Sequence, residues 1–195
     1  MSTRAVSASH KQAESVRLRL LEGAHRILAQ HGPRKLSLTD VAASAGVSRV
    51  TLYKYFPTKE DLLTALALHE TERFEAAFVC AVHGLTGSDR VDAALRYVVA
   101  VQDEHFTRGL LNTEPAFVLA ELRRLLRPMR SALAPLFVDL DPEPEPAIPH
   151  VERADMVIRL VFSHVLMRGE DDAQLLRELR AASGIPVPGR KQRTR

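Results

Sequence analysis

The chain is poor in the residues that many function classes need. One cysteine, Cys80, occurs in 195 residues, so no disulfide can form within the chain. That usage fits a reducing compartment. Tryptophan is absent and aromatics make up 5% of the residues, which argues against a cavity built to stack large flat molecules. No apolar run approaches the ~20 residues that a membrane-spanning helix needs. The first stretch, MSTRAVSASHKQAES, is polar and lacks an apolar signal core. A cytoplasmic protein without a membrane partner is therefore expected.

Catalytic signatures are missing too. The sequence contains no zinc-ligand spacing, no glycine-rich phosphate loop and no Gly-x-Ser-x-Gly elbow. Of the eight histidines, His25 and His31 stand six apart, off a shared helix face. Ser163 and His164 are neighbours that point about 100° apart on a helix. Cys80 lies in an apolar helical stretch and is expected to be buried rather than reactive. These readings predict no catalytic residue, no metal and no cofactor.

What is present is helical period, with no convincing strand alternation and no internal repeat. In ESVRLRLLEGAHRILAQHG, residues Leu20, Ala24, Ile27 and Leu28 share a stripe with Leu21 beside it, and Gly32-Pro33 stops the helix. Ser37 and Asp40 open the next helix as a capping-box-like pair. Leu38, Val41, Ala42 and Ala45 form its inner face, and Gly46 supplies the terminal turn. Ser48 caps SRVTLYKYF, Pro57 ends it, and Thr58 with Asp61 starts a long helix to about Val82. Further helices are expected over about 90–107, over 114–137 with bends near Pro128 and Pro135, over 150–168 and over 172–183. DLDPEPEPAIP reads as a proline-rich acidic linker.

Charge is unevenly placed. Residues 1–63 hold 10 Lys/Arg against 5 Asp/Glu, whereas residues 64–189 hold 13 against 19. The tail RKQRTR is wholly basic in its charges. A basic N-terminal part suggests a polyanionic partner.

The stretch SLTDVAASAGVSRVTLYKYFPTKEDLL makes that partner specific. Leu52 and Phe56 belong to an inner face that can pack on Val41, Ala45 and Val47. Arg49, Val50, Tyr53 and Lys54 belong to an outer face. A guanidinium suits guanine edges, an apolar side chain suits the thymine methyl, and a phenol with an ammonium suits phosphates. A short helix, a glycine turn and this second helix have helix-turn-helix spacing. Thr58 and Lys59 then begin a helix whose N-terminus suits a phosphate.

The same stretch resembles the DNA-binding signature of the tetracycline-repressor (TetR) family. The matching residues are Val41, Ala42, Gly46, Val47, Ser48, Thr51, Leu52, Tyr53, Tyr55, Phe56, Lys59, Leu62 and Leu63. The resemblance covers about residues 14–65. It implies an all-α fold, with a three-helix DNA-binding domain followed by a helical ligand-binding and dimerisation domain. The expected division is a flexible basic arm over 1–13, the helix-turn-helix domain over 14–57, the effector and dimerisation domain over 58–185 and a basic tail over 186–195. The arm could reach an adjacent groove through Arg4, His10 and Lys11. By position, Arg49 and Val50 fall where base contacts occur. Ser48, Thr51, Tyr53, Tyr55 and Lys59 fall where phosphate contacts occur, with Lys54 beside them and Thr39 near the start of the preceding helix. Val50 is bulkier than the small residue often found there.

The resemblance further implies a homodimer on double-stranded operator DNA, released by a small molecule. The effector pocket is expected among Phe74, Phe78, Val98, Gln102, Phe106, Phe117 and Leu122, with Arg96 and His105 as polar groups. The helix over 150–168 is apolar nearly all round, so it is expected to be buried on more than one side, with Val161 on a partner-facing surface. A repressor is the leading expectation. An activator of the same architecture and, further off, a helical enzyme or non-DNA adaptor are the alternatives.

Overall fold

Four helix starts are fixed by their own side chains. Ser37 Oγ accepts from Asp40 N at 3.2 Å, Ser48 Oγ from Thr51 N at 3.1 Å and an Asp171 oxygen from Ala173 N at 2.9 Å. Thr58 and Asp61 form a reciprocal box: Asp61 N donates to Thr58 Oγ1 at 3.1 Å, and Thr58 N donates back to Asp61 Oδ2 at 3.1 Å. Each such cap satisfies amides that the first helical turn leaves without a partner.

The computed structural model describes residues 3–104, 110–111, 114–138, 140, 148–167 and 171–186, excluding the side chains of 3–9 and 102–104. These residues are almost wholly helical, and none of them forms a strand. The elements are α1 (Thr3–Lys35), α2 (Leu38–Ser44), α3 (Arg49–Tyr55), α4 (Lys59–Val82), α5 (Gly87–Glu104), α6 (Pro115–Leu133), the 3-10 turn η1 (Ala134–Phe137), α7 (His150–Met167) and α8 (Asp172–Ser183). Gly32 breaks α1 with φ 77° and ψ 170°, at the expected Gly-Pro stop. The backbone of residues 3–13, expected as a flexible arm, is helical and continuous with α1. α6 runs on through Pro128 and gives way to η1 where Pro135 stands in the first turn. The 186–195 tail beyond Pro186, most of the acidic linker and the end of the helix expected to reach 107 lie outside the described residues.

Two compact units form among the described residues, and their division falls inside α4 between Phe74 and Glu75. In the first unit, Leu20, Leu21, Ala24, Ile27 and Leu28 of α1 are buried with Val41, Ala42, Ala45, Leu52, Phe56, Leu62 and Leu66. The inward stripe of α1 is thus the one its periodicity predicts. Leu38 is only half-buried. Burial alone would raise the Glu70 pKa. The hydrogen bond from His25 and the charges of His25, Arg73 and His69 outweigh burial and hold it below the usual glutamate value.

In the second unit, α7 packs on α8, α6 and η1, and α5 packs on α8 and η1. Ala154, Val157, Ile158 and Val161 of α7 are buried within the single chain, Val161 at 4% exposure. The expectation that Val161 faces a partner is therefore corrected: it belongs to its own subunit's core. The outward apolar residues of α7 are Val151, Met156, Leu166 and Met167. Cys80, expected to be buried, is exposed, because the adjoining stretch of α4 buries Phe78 and Val82 and turns Val79 and Cys80 outward.

A charged contact ties α5 to α8. The Arg180 guanidinium, nearly buried, donates to Asp92, which also accepts from Arg96 at 2.7 Å. The Arg180 hydrogen bond is the largest influence on Asp92, exceeding the opposing effect of burial. With the help of Arg96 it holds the carboxyl below the usual aspartate value. A depressed carboxyl pKa stabilises the fold above its unfolded value and loses that contribution as pH falls through the folded one. Acid unfolding should therefore steepen below about pH 4. Asp92→Asn should flatten that part of the profile and cost roughly 2 kcal/mol at neutral pH, because Arg180 is left buried without its carboxylate. Urea melts across pH 3–7 measure both effects.

Candidate nucleic-acid interface

The interface is built on the turn between α2 and α3. Gly46 sits there at φ 64°, a region that side-chain-bearing residues avoid. Gly46 N donates to Ala43 O at 3.1 Å and Val47 N to Ala42 O at 3.0 Å. This pair of bonds is a Schellman closure, which satisfies the last carbonyls of α2 and aims the chain into α3.

α3 has seven residues. Leu52 is fully buried and Phe56, its C-cap, is 4% exposed. Arg49, Val50, Tyr53 and Lys54 are exposed, Val50 at 68% and Tyr53 at 51%. The inner and outer sets are the ones the sequence distinguishes. Thr39, Thr51, Tyr55 and Lys59 are half-exposed and Ser48 is exposed. Every residue expected at the DNA surface thus has free surface in the chain.

Some of those residues already hold internal bonds. Ser48 Oγ and Thr51 Oγ1 lie 2.9 Å apart, and Ser48 Oγ also caps Thr51 N. Each hydroxyl keeps capacity for one further acceptor or donor. Lys59 Nζ donates to the Arg34 carbonyl at 3.5 Å, tying the start of α4 to the end of α1. Tyr55 and Phe56 rings stand 6.5 Å apart at a tilted angle. Arg49 and Lys54, by contrast, have no ion-pair partner among the described residues.

Three supports were not legible in the sequence. Arg26 donates one guanidinium nitrogen to both Ser44 O and Ser44 Oγ at 3.0 Å, clamping α1 to the end of α2. Arg34 lies 3.3 Å from Glu114, a residue far along the chain. At Gly23, a Cβ would meet Val41 O at 3.3 Å and Ala45 N at 3.4 Å, so α1 and α2 approach backbone to backbone there. A glycine inside an amphipathic helix was the only available sign of that approach.

The described residues among those expected at an effector pocket are placed as follows. Phe117 and Leu122 join Leu110, Leu111, Val118, Phe162 and Val165 in an apolar cluster. Phe78 packs edge-on against Tyr97 with centroids 6.0 Å apart, and it also lines an open groove of the second unit. Val98 is buried on α5, and Arg96 is exposed and paired with Asp92. Phe74 is half-buried on the first-unit part of α4. His105, Phe106 and the Gln102 side chain lie outside the described residues. Among the described residues no group of histidine, cysteine and carboxylate side chains could hold a metal, and no helix is long and apolar enough to cross a membrane.

Residues 20–66 match the family model described as bacterial regulatory proteins, tetR family. The chain is 29% identical to the uncharacterized HTH-type transcriptional regulator Rv1255c of Mycobacterium tuberculosis (strain H37Rv), across 85% of this chain and 82% of the relative. It is 43% identical to the HTH-type transcriptional repressor LfrR of Mycolicibacterium smegmatis, across 46% of this chain and 44% of the relative. The fold is similar to the crystal structure of AibR in complex with isovaleryl coenzyme A and operator DNA. That likeness has a TM-score of 0.58 at 17% identity and covers 88% of this chain and 100% of that one. Rv1255c is named as a transcriptional regulator and LfrR as a transcriptional repressor.

The Gly23 approach gives a test of the scaffold apart from the DNA-facing residues. Gly23→Val should cost about 1–3 kcal/mol by forcing α1 from α2. It should also weaken DNA binding, although residue 23 is remote from the outer face of α3. Thermal melts and fluorescence anisotropy on one duplex read the two effects together.

Proposed function

Because the chain is a TetR-family transcriptional regulator, we propose that it works as a homodimeric repressor that binds a (pseudo)palindromic operator and leaves it when a small molecule fills its second, helical unit. The observation that carries the reading is α3 itself: a capped helix with a buried apolar face and an outer face of Arg49, Val50, Tyr53 and Lys54. Its width and chemistry suit a major groove. Arg49 and Val50 are assigned to base edges. Tyr53, Lys54, Tyr55 and Lys59 are assigned to phosphates, together with the remaining capacity of Ser48 and Thr51, and Thr39 lies at the margin. LfrR, the relative matched over 46% of this chain, is named as a repressor, which favours repression over activation. AibR was solved with both a small molecule and operator DNA, which supports a chain of this fold binding an effector as well as DNA. The proposed division keeps the DNA-binding part at 14–57 and the effector and dimerisation part at 58–185.

Base readers and phosphate anchors differ in selectivity. Arg49→Ala should cost roughly 1–3 kcal/mol on the operator and relax preference at one base pair. Tyr53→Phe should weaken operator and random duplex alike. Anisotropy titrations on both duplexes separate the two, and equal losses for Arg49→Ala would remove it from the base-reading set. Deleting the gene should raise expression of its target, and a fall would make the protein an activator.

Dimerisation is assigned to α7 and α8. In the single chain, one face of α7 presents Met156, Leu166 and Met167, and a dimer needs an apolar surface of that kind. Met156→Glu should leave the helix content intact while sedimentation shows half the mass. Operator affinity should fall with it, since one reader reaches only one half-site. Val161→Glu should instead unfold the subunit, as a carboxylate is forced into its core.

A further inference from the structure

Gly32 breaks α1, and the chain then turns into α2 through a pinned junction. Leu36 N donates to Pro33 O at 3.3 Å, the Leu36 side chain is buried and Ser37 caps α2. Arg34 and Lys35 are left exposed side by side. Their pairing differs. The Arg34 guanidinium lies 3.3 Å from Glu114, whereas Lys35 forms no ion pair among the described residues.

Lys59 completes the arrangement. Its Nζ donates to Arg34 O at 3.5 Å, and that oxygen belongs to the peptide bond joining Arg34 to Lys35. The Lys59 ammonium therefore rests against the backbone of Lys35, with two of its three donors left over. The flexible stem of Lys35 keeps a second ammonium within reach of the first. Like charges held together in this way repel, and an anion between them relieves the repulsion. Asp61 is engaged with Thr58 and Glu114 with Arg34, so neither acid supplies that anion. We propose that Lys35 is a further phosphate anchor of the DNA interface, closing with Lys59 on the sugar-phosphate backbone beside the groove that α3 enters. The inference rests on the DNA-binding reading and extends its contact surface from α3 and the start of α4 to the junction of α1 with α2. A lysine there acts as a point charge and carries no base preference.

A phosphate contact is independent of sequence, so the probe is a fluorescein-labelled duplex of random sequence, titrated with the full chain by anisotropy from about 50 to about 200 mM salt. Lys35→Gln should weaken binding roughly threefold to tenfold and make the plot of log affinity against log salt shallower by about 0.9, the contribution of one phosphate. Lys35→Arg keeps the charge and should restore both. The melting curve of Lys35→Gln should be unaltered, because an exposed side chain without an ion pair carries little of the stability. Arg123→Gln removes an exposed charge from α6 and should leave the slope as it is. An unchanged slope for Lys35→Gln would overturn the anchor. So would an equal loss for Arg123→Gln, which would reduce the effect to net charge. Lys59→Gln separates the two ways of failing. If it flattens the slope and Lys35→Gln does not, Lys35 is dismissed and the DNA-binding reading stands. A wild-type chain that does not bind the duplex would remove that reading together with the anchor.

Discussion

A seven-residue helix does not hold its shape in water on its own. Everything that the outer face of α3 can do depends on the burial of Leu52 and Phe56 beneath it. Each such burial contributes about 1.5–3 kcal/mol, and the Ser48 cap contributes about 1 kcal/mol more. Those contributions hold α3 while Arg49, Val50, Tyr53 and Lys54 stay exposed. The floor under α3 must in turn be firm. Gly23 lets α1 and α2 meet backbone to backbone, the Arg26 clamp holds the end of α2, and the Gly46 closure sets the direction of the chain.

The basic residues of the first unit divide by the same logic. Arg26, Arg34 and Arg73 are spent on carbonyls and carboxylates of their own chain, and Lys59 gives one of its three donors to a carbonyl. Arg49 and Lys54 form no ion pair among the described residues. An excess of positive charge in the sequence therefore says less than its residue-by-residue allocation. A polyanion meets only the unspent charge as a flexible, fully available partner, whereas the clamping residues give it a fixed platform.

The local signals were legible in the sequence. Ser37, Ser48 and Thr58 announced their caps, Gly32 and Gly46 their breaks, and Leu20, Ala24 and Leu28 their stripe, because each depends on neighbours within one or two turns. What escaped depends on residues far apart in sequence. Gly23 gave no sign of which backbone it approaches, and Arg34 none of Glu114. Val161 and Cys80 were misplaced for a related reason. An apolar helix has a periodicity that locates its faces, yet which face meets the subunit's own core is decided by the elements packed on it. Phe117 and Leu122 share an apolar cluster and Phe78 packs on Tyr97, contacts that periodicity along one helix does not announce.

Two arginines of the second unit differ in how burial and pairing combine. Arg180 is almost fully buried, and one of its terminal nitrogens lacks an acceptor. Its Nε, however, holds Asp92, and the pair joins α5 to α8. Its charge is balanced inside the fold, so its incomplete bonding is the residue of a structural contact. Arg90 also has a buried nitrogen without an acceptor, and it forms no ion pair among the described residues. The contrast lies in the pairing: for Arg180 the fold supplies a carboxylate from α5, whereas Arg90 pairs with no carboxylate among the described residues and keeps part of its side chain in water.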